Sequence, residues 1–198
     1  MTKAEGAIKA LASQQSDQMQ KLVQSLLAAA QTTSDPQVAS RATVAAASIT
    51  QSLRREKTPA SPEFFQSAFA NLNAAETRIG SPAFGAKIAL AEYRSSLATI
   101  QIPKTVMLCS GDASKTPGSG PMRNMTLKGC AYRLDDNRLG PNYFINVVFV
   151  DSRIIYKGGQ VELDNVLFVN CTFEVTPNAH GSQLLEYAAL DRKQLSVG

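Results

Sequence analysis

The stretch Asn165-Val166-Leu167-Phe168-Val169-Asn170-Cys171-Thr172-Phe173-Glu174-Val175 decides the fold of the second half of the chain, because its pattern occurs twice before it. The earlier copies start at Asn124 and Asn146, so the copies are 22 and 19 residues apart. Each copy begins with Asn and has Leu or Phe three positions later. The sixth position is Gly, Asp or Asn, the seventh is Cys or Ser, and apolar residues then alternate again. A repeat of this length with apolar residues at every second position predicts stacked β-coils.

Each copy predicts two short strands joined by a bend. Alternation places Val147 and Phe149 of the second copy on one face, and Asp151, a residue type that tolerates bends, follows them. Gly or Asn takes this position in the other copies. A third short strand precedes each later copy, at residues 143–145 and 161–163. Three strands and three corners in each repeat are typical of one coil of a three-sided β-helix.

Over residues 104–178 the chain therefore resembles the parallel β-helix, or solenoid, repeat architecture. The resemblance is to the architecture in general, so it implies a fold and no function. Stacked coils would bring Asn124, Asn146 and Asn165 to one corner. We interpret these residues as a ladder that bonds the backbone turns, rather than as ligands of a bound group.

Stacking also gives the cysteines a structural interpretation. Cys130, Ser152 and Cys171 would form an internal ladder of small side chains, which Cys109 could begin. Because coils lie ~4.8 Å apart, Cys130 and Cys171 would be ~9–10 Å apart, and a disulfide needs Cα atoms within ~7 Å. We expect no bridge between these two. His180 is the only histidine, which argues against a zinc site, and the cysteine pattern predicts a reducing compartment, by default the cytoplasm.

The outward positions of the later copies are apolar, and strands that are apolar on both faces are buried on both faces. The helical half, the C-terminal segment or another subunit could cover this outer face. We therefore predict a homo-oligomer, with a helix over residues 182–195 capping the coils. The predicted interface residues on this face are Val148, Val150, Leu167 and Val169.

Residues 1–103 predict helices only. A long amphipathic helix spans residues 4–31, and its apolar stripe, which includes Leu22 and Leu26, is narrow. Such a helix is marginally stable alone and requires a partner helix or a second copy of itself. The pairs Asp35-Pro36, Ser61-Pro62 and Ser81-Pro82 each predict the start of a further helix, with the Asp or Ser side chain as its N-cap. Short connections between four helices indicate a bundle or helical hairpins.

The sequence thus predicts an α+β chain of two domains. Residues 1–103 form an all-α bundle or hairpins, and residues 104–198 form a short three-sided parallel β-helix with a C-terminal helix. The boundary lies near Pro103, where an Ala-, Gln- and Ser-rich composition gives way to Gly, Cys and β-branched residues.

Charge and motifs exclude several classes of function. The net charge of +4 is spread without a basic stripe, so nucleic-acid binding is not indicated. No apolar run approaches the ~18–20 residues of a membrane span. No cofactor or metal motif occurs, and His180 has no nearby nucleophile or orienting acid, which favours a non-enzymatic protein without deciding the question.

We expect a non-enzymatic scaffold that self-assembles through its helices and the apolar outer face, with a protein partner as a further possibility. Two alternatives remain. The first is a carbohydrate-binding or carbohydrate-active protein that uses a polar patch of Asp151, Arg153 and Lys157. The second is a small-molecule sensor with a pocket between its helical and β halves.

Overall fold

The computed structural model describes residues 3–99, 105–109, 122–136 and 142–197, and only the backbone of residues 3–13. The chain divides into two compact units, Met1–Tyr93 and Arg94–Gly198. The division falls inside a helix, a little before Pro103, which lies outside the described residues. The described helices are α1 (Lys3–Thr32), α2 (Pro36–Arg55), α3 (Pro62–Ile79), α4 (Ser81–Leu97) and α5 (Ala179–Leu190). The described strands are β1 (Val106–Leu108), β2 (Met122–Lys128), β3 (Ala131–Arg133), β4 (Asn142–Val150), β5 (Arg153–Tyr156), β6 (Val161–Asp164), β7 (Leu167–Val169), β8 (Thr172–Val175) and β9 (Gln194–Val197).

Capping side chains start two helices of the first unit, as their sequence predicts. Asp35 accepts hydrogen bonds from the N–H groups of Gln37 and Val38 before α2, and Ser61 accepts one from Phe64 N–H before α3. Ser81 differs, because it is already the first residue of α4 rather than its cap. The predicted helical half is confirmed, and α1 packs against both α2 and α3.

The core of the first unit is formed by large apolar side chains from all four helices. Those with at most 2% of their surface exposed include Val23, Leu27, Leu53, Phe65, Phe69, Leu72, Leu90 and Tyr93. The hydroxyl of Tyr93 donates to the Thr58 carbonyl at 2.7 Å, so its buried polar atom has a partner.

The second unit is built from two sheets of stacked strands. The longer sheet has the order β1-β2-β4-β6-β9, with β7 also paired to β4, and the shorter sheet has the order β3-β5-β8. All pairings are parallel except β6 with β9. The class is therefore α+β, as predicted. No closed sheet appears among the described strands, so the three-sided β-helix is not confirmed.

The register agrees with the alignment of the three copies. Val148 of the second copy pairs with Thr126 of the first and Leu167 of the third, and Ile154 pairs with Phe173. Inward aromatic rings follow this register, because the Phe149 ring stacks on that of Phe168 at 5.6 Å between centroids. Repeat position in the sequence thus translates directly into position in the stack.

The asparagine ladder is present, although its bonds differ from the expected ones. Asn124, Asn146 and Asn165 have left-handed backbones, with φ of 54°, 53° and 51°. The Asn146 amide donates to Asn124 Oδ1 at 2.9 Å, and the Asn165 amide donates to Asn146 Oδ1 at 2.8 Å. The side chains therefore bond to one another rather than to backbone turns. Asn tolerates this conformation better than most residues, which explains its recurrence at the corner.

The cysteines correct one prediction. Cys109 and Cys130 form a disulfide with their Cα atoms 5.0 Å apart, where we expected unbridged structural cysteines. Cys109 lies one coil from Cys130, and that spacing permits a bridge. Cys171 is buried with a free thiol, and the expectation that it does not bridge to Cys130 is confirmed.

The C-terminal segment also differs from its prediction. The helix α5 covers residues 179–190 rather than 182–195, and Asp191, at φ 55°, ends it in the left-handed conformation. The chain then forms β9, antiparallel to β6. The buried hydroxyl of Tyr187 in α5 accepts from Val166 N–H at 2.9 Å and donates to the Val166 carbonyl at 3.0 Å, which satisfies backbone groups at the end of the stack.

Candidate functional site

The predicted apolar interface is only partly exposed. Val148 and Val150 are buried, with 5% and 7% of their surfaces accessible, while Leu167 and Val169 are half-buried. The first pair is therefore not available to a second copy of the chain, which removes it from the predicted assembly surface. On α1, Leu22 is 49% exposed and Leu26 is half-buried.

The predicted polar patch divides into two parts. Arg153 and Lys157 lie near the same carboxylate, Glu174, at 3.8 and 3.1 Å. Asp151 is at a corner instead, where it accepts from the Asn170 amide at 2.8 Å and lies 3.9 Å from the Lys128 ammonium. Every charge of the patch thus has an exposed partner of opposite charge or a hydrogen bond, as on an ordinary solvated face.

Asp135, in the turn that follows β3, is buried. It accepts hydrogen bonds from the N–H groups of Lys157 and Gly159 at 2.9 and 3.0 Å and from Arg133 at 3.0 Å. Burial alone would raise its pKa, but these hydrogen bonds and the Arg133 charge together lower the pKa below its usual value. A carboxylate held by three donors stabilises the backbone after β5 and is a poor proton carrier.

Two other reactive side chains also have structural roles. His180 lies half-buried in the first turn of α5, with Nδ1 3.0 Å from the Gly158 carbonyl. Burial raises the pKa of the Cys171 thiol to about 11, so its thiolate is scarce at neutral pH. The Cys171 N–H donates a hydrogen bond to the Ser95 hydroxyl at 2.8 Å, which extends the ladder of small side chains. No pattern in the sequence predicts this contact.

One groove on the outer face of the longer sheet brings several kinds of polar group together. Register places Tyr143, Glu162 and Ser196 in one row and Ile145, Asp164 and Gln194 in the next. The groove has a volume of about 330 Å³, close to the lower limit of ~300 Å³ for ligand sites. Among the described residues, neither of its carboxylates forms an ion pair. We call it the β4–β6–β9 groove.

The edge strand β1 is the second exposed feature. Val106, Met107 and Leu108 are 46%, 36% and 73% exposed, and β1 pairs on one side with β2. No strand in the described part of the chain lies on its other side. Thr105 to Cys109 contain no charged residue, although exposed edges are usually protected by charges, proline or bulges. Exposed apolar edges of this kind are typical of strand addition.

Comparisons give this chain no relative from which a function could be taken. No protein-family model matches the sequence, and neither curated proteins nor solved structures give a match. Within residues 3–99, 105–109, 122–136 and 142–197, no cluster of acids, cysteines and histidine is suited to a metal ion. No helix of that part is long and apolar enough to cross a membrane.

Proposed function

We propose that the chain is a non-enzymatic scaffold that self-associates through β1. The exposure of three successive apolar residues on an edge strand is the observation that supports this proposal. A two-fold axis beside β1 would pair it antiparallel with β1 of a second copy, so that both edges gain hydrogen bonds. The repeat is proposed to be a short β-helix, which is supported by the parallel register and the recurring corners.

We also propose a second, separate contact on α1 for self-association. A three-residue strand buries much less than the ~800 Å² per partner that is usual for stable interfaces. Leu22 and Leu26 lie one helical turn apart, on the same side of α1, beside the buried stripe of Val23 and Leu27. We include this pair in the proposed assembly surface, and Val148 and Val150 are left out because they are buried.

The oligomeric state of the full chain tests this proposal. Sedimentation velocity over a concentration series should show species heavier than the 21.2 kDa monomer. Leu108→Lys should shift the distribution to monomer, because it places a charge on the apolar edge. Val44→Lys is the matched control, since Val44 is 54% exposed on α2. A monomer at every concentration, or an equal effect of both substitutions, would refute the proposal.

Carbohydrate binding is the second candidate, and the β4–β6–β9 groove favours it over the patch of Asp151, Arg153 and Lys157. The groove combines the Tyr143 ring with the acceptors Glu162 and Asp164 and with the amide and hydroxyl of β9. Sugars present hydroxyl donors and apolar C–H faces, which such a mixed lining can match. Because neither carboxylate forms an ion pair with a described residue, both can accept from the hydroxyl groups of a sugar.

Calorimetry with uncharged oligosaccharides tests this candidate. Cellotetraose, maltotetraose, xylotetraose and mannotetraose serve as probes, and Asp164→Asn should weaken the binding of a recognised probe by about tenfold. Glu174→Gln, an exposed carboxylate on the other sheet, is the matched control. No heat from any probe at about 1 mM contradicts the candidate, as does equal weakening by both substitutions.

The remaining predictions concern ligands and location. A small-molecule sensor stays a prediction, which a thermal-shift screen with nucleotides and metabolites would test. A cytoplasmic location also stays a prediction. The Cys109–Cys130 disulfide weighs against it, because such bonds are rare in reducing compartments, and we propose an oxidising environment for the bridged form.

A further inference from the structure

The edge strand β1 is attached to the second unit by few interactions. It pairs with β2 over three residues, and the flanking backbone adds Thr126 N–H to the Thr105 carbonyl at 2.9 Å and Cys109 N–H to the Lys128 carbonyl at 3.2 Å. All three side chains of β1 are exposed, so apolar burial contributes little to holding the strand in place. Among the described residues, the remaining attachment is covalent: the Cys109–Cys130 disulfide that follows β1.

The two sulfurs of this bond differ in environment. Cys109 is half-buried, whereas Cys130 has only 3% of its surface exposed. An external thiolate therefore reaches the Cys109 sulfur more easily, and Cys130 is the leaving group. Cys171 is too far for exchange, because it stands two coils from Cys130, ~9–10 Å away. The chain thus has one redox-active pair among its described cysteines, with no internal thiol able to rearrange it.

We propose that the Cys109–Cys130 disulfide is a redox latch that fixes β1 as the edge of the longer sheet, and that a dithiol reductant releases the strand. The first thiolate of the reductant attacks the Cys109 sulfur, forms a mixed disulfide and expels Cys130 as a thiolate, which takes up a proton. The second thiolate of the reductant then displaces Cys109, which is also protonated. The products are two protein thiols and the oxidised, disulfide form of the reductant.

The latch would regulate self-association, and that part of the inference rests on the proposed function of β1. A released strand no longer presents a fixed row of backbone donors and acceptors to a second copy. Association through β1 should therefore be stronger in the oxidised chain. The release of the strand itself is independent of association, so each can be measured without the other.

Hydrogen exchange of the full chain, measured by mass spectrometry with and without dithiothreitol, tests the latch. Reduction should raise the exchange rate of the Cys109 amide, which is bonded to Lys128, by at least about tenfold, while peptides from β5 and β8 keep their rates. A chain with both Cys109→Ser and Cys130→Ser should exchange like the reduced wild type under either condition. Cys171→Ser is the matched control and should keep the full response.

Two outcomes would overturn the latch. The first is equal protection of the Cys109 amide in oxidised and reduced wild type, and the second is a dithiothreitol response that persists in the double serine variant. Sedimentation of the same samples separates the two proposals. If reduction releases β1 without changing the association state, the latch stands and β1 is not the contact surface. A chain that is monomeric in both states refutes self-association alone.

Discussion

The middle rung of the asparagine ladder gives the sharpest test of how the repeat stabilises the second unit. Asn146 makes both ladder bonds, one to Asn124 and one to Asn165, and its backbone has φ 53°. Asn146→Ala removes two exposed hydrogen bonds, about 1–2 kcal/mol together, and forces alanine into a left-handed backbone at about 1 kcal/mol relative to asparagine. We expect a loss of about 2–3 kcal/mol in the free energy of unfolding.

Two companion substitutions separate the contributions. Asn146→Gly loses the same bonds and accepts the backbone without strain, but glycine adds about 0.4–1 kcal/mol of entropy to the unfolded chain. Because about 1 kcal/mol of strain is relieved, its loss should be smaller than that of alanine by at most about 0.6 kcal/mol. Asn124→Ala loses one described bond instead of two, so its loss should be smaller than that of Asn146→Ala by about 0.5–1 kcal/mol.

Urea unfolding of the full chain, followed by the near-ultraviolet circular dichroism of tyrosine, provides the measurement. Four of the five tyrosines lie in the second unit, so this signal reports mainly on the stack. A loss for Asn146→Gly that exceeds the loss for Asn146→Ala by about 0.4–1 kcal/mol, the entropy of glycine alone, would show that the left-handed backbone contributes nothing. Equal losses for Asn124→Ala and Asn146→Ala would show that the number of ladder bonds does not matter, and the reasoning would then be wrong.

Three further outcomes follow from buried polar groups of the same unit. The pKa of Asp135 is lower in the folded chain than the unfolded value of about 3.9. The charged carboxylate therefore stabilises the fold fully above that value, and this stabilisation disappears as the pH falls through the folded pKa. The difference in unfolding free energy between wild type and Asp135→Asn, measured by urea unfolding, should shrink over the same pH range. Tyr187→Phe leaves the N–H and carbonyl of Val166 without their partner and should lower the free energy of unfolding by about 1–3 kcal/mol. The Cys171 thiol, with its pKa near 11, should resist iodoacetamide at neutral pH in the native chain and react once the chain is unfolded by urea, as read by mass spectrometry.

The sequence predicts the parts of the fold that recur in it. Alignment of the three copies gives the register of Thr126, Val148 and Leu167, because a stacked repeat must place equivalent positions side by side. It gives the corner asparagines for the same reason. The helix starts at Asp35 and Ser61 are predicted because a capping side chain and a following proline act within one turn of the chain.

The parts that the sequence does not predict depend on contacts that occur at a single place in the fold and do not recur from copy to copy. The disulfide is not predicted, although Cys109 could begin the ladder, because the repeat spacing places Cys109 near Cys130 without showing whether their sulfurs are bonded. Ser95 meets Cys171 from the end of α4, 76 residues away in sequence. Asp191 ends α5 in a left-handed conformation without the glycine that usually marks such an end, and apolar spacing alone extends the helix too far.

The same distinction indicates where function should be sought in this chain. Positions shared by all three copies are engaged in stacking: the asparagines bond to one another, the bend residues hold left-handed corners, and Cys130 and Ser152 bond across coils. A surface that recognises a partner needs side chains that stacking does not engage. In the second unit these lie where the repeat is interrupted, at β1 before the first copy and at the groove completed by β9 after the last. Substitutions at repeated positions should therefore change stability, and substitutions at the two interruptions should change binding.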